Sequence, residues 1–102
     1  MSEKKIFDVR VTRVIKSSAE RLLADAEALT GEQLEMRNLD DIYYAIEATG
    51  YTHPVVVQDT QIVRAWSASD AQEFVAELYE KDDFSLVMDI EVHEATIWET
   101  ED

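Results

Sequence analysis

The period of the hydrophobic residues changes along this chain, and that change restricts the folds open to it. Near the start, Phe7, Val9 and Val11 alternate with Asp8, Arg10 and Thr12, a two-residue period rich in β-branched side chains that predicts a strand over 6–15. Near the end, Phe84, Leu86, Met88, Ile90 and Val92 share one side of a second alternation, with Ser85, Val87, Asp89, Glu91 and His93 on the other. Between them the spacing is three and four, the helical signature. Terminal strands with helices between them require a sheet whose partners are distant in sequence.

The punctuation refines this outline. Ser17 and Glu20 fit a capping box, and Ala19, Leu22, Leu23, Ala26 and Leu29 follow as one stripe closed by Gly31. Leu34 and Met36, within 32–37, suit either a short strand or a helical continuation. Asn38 starts a second helix, with Asp40 and Asp41 in its first turn, a stripe of Leu39, Ile42, Tyr43 and Ile46, and Gly50 at its end. After His53-Pro54, Val55–Val57 reads as a strand, Gln58–Gln61 as a tight turn and Ile62–Trp66 as the returning strand, with Trp66 in the core. Ser69 and Gln72 suggest another capping box, followed by a helix that buries Ala71, Phe74, Val75, Leu78 and Tyr79. A break in phase between His93 and Ile97 predicts a bulge there.

The expected fold is therefore α+β: one domain over residues 1–102, ordered β-α-α-β-β-α-β. It has an antiparallel or mixed sheet of about four strands with about three helices packed on one face. With 102 residues, 46% of them hydrophobic, the chain is the size of one domain and can build a core. It has no cysteine, so disulfides, zinc–thiolate sites and thiol catalysis are excluded. No apolar run reaches the roughly 20 residues of a membrane-spanning helix, and Met1–Lys5 leads directly into the first strand, so a cytoplasmic protein is expected.

Charge carries the functional signal. The formal net charge is -14, which disfavours direct binding to nucleic acid or to an anionic membrane. Residues 1–21 carry +3, 22–64 carry -6 and 65–102 carry -11, with Lys81 the last segment's only basic residue. Asp70, Glu73, Glu77 and Glu80 fall at helical offsets that align them in one stripe. Their like-charge neighbours would cost the helix on the order of 1 kcal/mol in total. Asp82, Asp83, Asp89 and Glu91 extend the same sign.

Catalysis finds little support. Two histidines leave few members for a nucleophile–base arrangement, and Ser17, Ser18, Ser67 and Ser69 suit helix caps. Two glycines nineteen residues apart cannot build a phosphate-cradling loop. Asp89, Glu91 and His93 share a strand face, but alternate side chains on a strand stand roughly 6.8 Å apart, too far to converge on one ion. No catalytic residue, metal ligand or cofactor is assigned.

A surface that concedes stability to keep one sign of charge suits a basic partner. The expected function is a non-enzymatic binding protein that occupies a basic, nucleic-acid-binding surface of another protein, as a DNA mimic would. The partner-binding residues are Asp70, Glu73, Glu77, Glu80, Asp82, Asp83, Asp89 and Glu91, with Trp98 as an aromatic anchor. In size and charge the chain resembles the small acidic proteins with which phages and mobile elements block restriction or CRISPR enzymes. The alternative is an accessory or assembly protein whose acidity serves solvation and which binds, or forms a homodimer, through a strand edge or Trp98.

Overall fold

A computed structural model describes residues 4–95. They form, in order, β1 (Lys5–Ile15), α1 (Lys16–Thr30), α2 (Leu39–Thr49), β2 (Val56–Ala65), α3 (Ala68–Glu80) and β3 (Ser85–Glu94). The α+β class stands. Among the described residues the sheet has three strands, all antiparallel, in the order β2-β1-β3.

The missing fourth strand is the expected hairpin at Gln58–Gln61. Those residues instead continue a single strand, pairing in unbroken register from Val56 opposite Val14 to Ala65 opposite Lys5. No residue there supplies the positive φ that a tight hairpin turn favours. The polar side chains also have partners across the strand: Arg13 Nε donates to Asp59 Oδ2 at 2.6 Å, and Gln58 Nε2 donates to Thr12 Oγ1 at 3.4 Å.

Two hydrophobic clusters make up the core. In the first, Phe7, Val9, Val11, Val63 and Ala65 from the sheet meet Ala71 and Val75 of α3. In the second, Val14 and Val55 meet Ala19, Leu22, Leu23 and Ala26 of α1 and Ile42 and Ala45 of α2. Strand geometry points Val14 to the face opposite Val11, because side chains alternate. Of the three helices expected on one face, α3 packs on the face of Phe7, Val9 and Val11, while the α1–α2 pair gathers at the strand ends around side chains that point away from α3. The molecule is long for its size, with extents of 59 × 24 × 17 Å.

A bulge in β3 reconciles the strand with both cores. Thr12 lies opposite Asp89 and Arg13 opposite Val87, so Met88 is the extra residue. Ile90 and Val92 thereby pack against the α3 cluster, while Met88 packs against the α1–α2 cluster. The even-numbered apolar residues do not share one side as the alternation suggests: Ser85 and Val87 join the face of Ile90 and Val92, and Leu86 joins that of Asp89, Glu91 and His93. The break expected between His93 and Ile97 extends beyond the described residues; the observed one comes at Met88.

Helix ends follow the expected local chemistry in three cases and depart from it in two. Asn38 caps α2, its Oδ1 accepting the Asp40 N–H at 3.0 Å, and Gly31 and Gly50 close α1 and α2 in the left-handed conformation. The α1 cap is Ile15 rather than Ser17, with no side-chain bond, because β1 runs into the helix without a loop and Lys16 N–H donates to the Phe84 carbonyl at 3.0 Å. Ser67, not Ser69, caps α3. Residues 32–37 form neither strand nor helix.

Candidate acidic binding surface

The sheet decides which side of α3 is free. Three strands offer a narrow bed, and only Ala71 and Val75 are fully buried on it, with Tyr79 half-buried one turn on. These positions are four residues apart and define the line of contact. Phe74 and Leu78, expected in the core, lie beside that line and are 52% and 50% exposed. Trp66 is likewise 55% exposed rather than core, with the Lys4 ammonium 5.6 Å from its ring centre.

The carboxylates occupy the same free side. Asp70, Glu73, Glu77 and Glu80 are all exposed, and none forms an ion pair among the described residues. Ser67 Oγ accepts the Asp70 N–H at 3.2 Å, fixing the start of the stripe. Phe74, Glu77, Leu78, Glu80 and Lys81 line a shallow hollow of about 300 Å³. The outer surface of α3 is therefore an apolar pair set among unpaired carboxylates.

The remaining expected site residues separate. Asp83 is exposed in the turn after α3 and extends the surface. Asp82 is structural: its Oδ1 accepts the Phe84 N–H at 2.9 Å, its Oδ2 accepts the Ser85 hydroxyl at 2.7 Å, and Arg13 Nη1 lies 3.6 Å away. The Ser85 hydroxyl, then the Phe84 amide, hold the Asp82 carboxyl below its usual range. Asp89 and Glu91 lie on the sheet face turned away from α3, opposite Thr12 and Arg10 on β1. The eight of these residues that are described do not form one surface. Trp98 lies outside the described residues.

A polar layer separates the two cores on the α3 side. Asp59 Oδ2 receives Arg13 Nε and also the Tyr79 hydroxyl, at 3.0 Å, while Gln61 Nε2 donates to the Tyr79 oxygen at 3.1 Å. The Arg13 hydrogen bond holds the Asp59 carboxyl below its ordinary range, and the same bond raises Arg13. Burial pushes the Tyr79 hydroxyl up. Sequence reasoning missed this layer because Arg13 and Asp59 are 46 positions apart.

Beside it, a groove of about 430 Å³ runs between α3 and β3, with Ala76 and Tyr79 on one wall and Leu86, Val87 and Ile90 on the other. Among the described residues no three His, Asp or Glu side chains gather as a metal site, and no helix is long and apolar enough to cross a membrane. No protein-family model, curated protein or solved structure matches this chain.

Proposed function

We propose that this protein acts by binding, without catalysis, and that the outer face of α3 engages a basic surface of a partner protein. The observation that carries this reading is the composition of that face: Phe74 and Leu78 stand half-exposed among Glu73, Glu77 and Glu80, none of them in an ion pair among the described residues. A surface kept only for solvation needs carboxylates but has no use for an exposed phenylalanine and leucine beside them. An interface uses both: apolar anchors are desolvated at the centre and charges at the rim steer the encounter.

The partner's complementary surface is lysine- or arginine-rich with an apolar floor. Surfaces built for phosphate backbones satisfy the charge requirement, so the acidic face would compete with nucleic acid for them. A mimic of phosphate alone would bind through charge; Phe74 and Leu78 add recognition of the protein itself.

The test compares proteins retained from a lysate of the source organism by the wild type and by two variants. Glu73→Gln/Glu77→Gln/Glu80→Gln keeps shape and helix propensity but removes three charges. Affinity for the retained basic partner should fall more than tenfold, roughly 1.4 kcal/mol, with less sensitivity to salt. Phe74→Ser should weaken binding while leaving the salt dependence intact. Unchanged affinity in the triple variant would assign the carboxylates to solvation.

A further inference from the structure

We infer that the outer edge of β3, with the groove beside it, is a docking site for an extended basic segment, which would add to the sheet as a fourth strand. The inference rests on the proposed function in taking the partner to be basic; it concerns a different part of the surface.

Three observations meet at this edge. The first is the strand itself: β3 pairs with β1 on one side, and among the described residues nothing pairs with it on the other. Alternate residues of such a strand point their N–H and C=O groups outward, ready to form another ladder. The second is the groove between α3 and β3, apolar along Ala76, Val87 and Ile90, with Tyr79 and Leu86 at its sides. A segment paired with β3 sends every second side chain towards this side of the sheet, into the groove, and the others to the opposite face.

The third observation is what waits on the opposite face. There β3 presents Asp89 and Glu91, both exposed. Cross-strand neighbours on one face interact directly, so these carboxylates favour lysine or arginine in the added strand. Glu80 and Asp83, exposed at the rim of the groove, reinforce the preference, and among the described residues Lys16 is the one cation in its lining. The occupant is thus a segment that alternates apolar and basic residues. A second copy of this chain fits poorly, because antiparallel self-pairing of β3 brings Asp89 and Glu91 of the two copies close together.

The probe is an alternating lysine–valine peptide of ten residues, titrated into the isotope-labelled full chain and followed by amide NMR. A lysine–glycine peptide of equal charge is the control. The lysine–valine peptide should perturb and protect amides of Ser85–Glu94 and bind at least tenfold more tightly than the control. Ala76→Phe, at an exposed helix position, fills the groove and should remove that advantage. Asp89→Lys/Glu91→Lys should reverse the preference towards an alternating glutamate–valine peptide, which keeps the inference testable if the groove variant folds poorly. The Glu73, Glu77 and Glu80 triple variant should retain the β3 perturbations, so failure here is distinguishable from failure of the α3 reading. Perturbations confined to α3, equal affinity of the two lysine peptides, or no reversal in the Asp89/Glu91 variant would overturn it. So would β3 perturbations that appear on concentrating the protein without peptide, since the edge would then be taken by a second copy.

Discussion

Helices α1 and α3 are of similar length but make opposite use of their surfaces. α1 buries Ala19, Leu22, Leu23 and Ala26, and its one large exposed apolar residue is Leu29 near its end. Its charges mix: Lys16 precedes Glu20, and Arg21 precedes Asp25, each by four residues. α3 buries two residues, exposes Phe74 and Leu78, and carries four carboxylates with no basic residue inside it. The first helix satisfies the rules of a stable amphipathic element. The second departs from them in both apolar exposure and charge, and the two departures share one surface. That coincidence is the ground for proposing an interaction face there.

Core substitutions should break the symmetry between the two helices most visibly. Leu22→Ala, at a fully buried site, should cost about 2–5 kcal/mol in urea unfolding. Phe74→Ala, on the half-exposed side of α3, should cost no more than about 1 kcal/mol. A large loss for Phe74→Ala would mean that the outer face of α3 is core, and the proposed interface would disappear with it.

The polar layer between the cores comes next. Asp59→Asn keeps the shape but weakens the Arg13 contact, and at 28% side-chain exposure part of that interaction is screened by solvent. It should cost about 1–2 kcal/mol at pH 7. Because folding lowers the Asp59 pKa, the contribution is complete above the unfolded value of about 4. It is lost as pH falls through the folded value. Wild type and variant should therefore converge in strongly acid solution; a gap that persists there would show that packing, not charge, holds the layer.

The smallest effect is the most diagnostic of α3. Replacing Glu73, Glu77 and Glu80 with glutamine should raise stability by up to about 1 kcal/mol at low salt, an advantage that fades as salt screens the carboxylates in the wild type. A loss of stability would show that the carboxylates have favourable partners.

What could be read from the sequence follows how local each determinant is. Gly31, Gly50 and Asn38 mark their helix ends correctly because the geometry they satisfy spans only a few residues. The acidic stripe is legible for the same reason, since helical spacing alone aligns it. The polar run Gln58–Gln61 resembles a turn in sequence; only the strand register, with Thr12 opposite Gln58 and Arg13 reaching diagonally to Asp59, shows it to be strand. Phe74 was misread because its apolar spacing does not say how wide the bed beneath the helix is. Asp82 looked like part of the charged surface, but its role depends on Ser85 and Phe84 folding back onto it.

Met88 also divides the parity of β3 into two independent halves. Since Val87 and Asp89 already lie opposite consecutive residues of β1, deleting Met88 would leave every other side chain of the strand on its present face. Deleting Glu91 would instead let the strand run straight by exchanging the faces of Asp89 and Ile90, sending a carboxylate towards α3 and an isoleucine to the outside. The strand can lose a residue without inversion only near its one irregularity, and length changes elsewhere in it have to come in pairs.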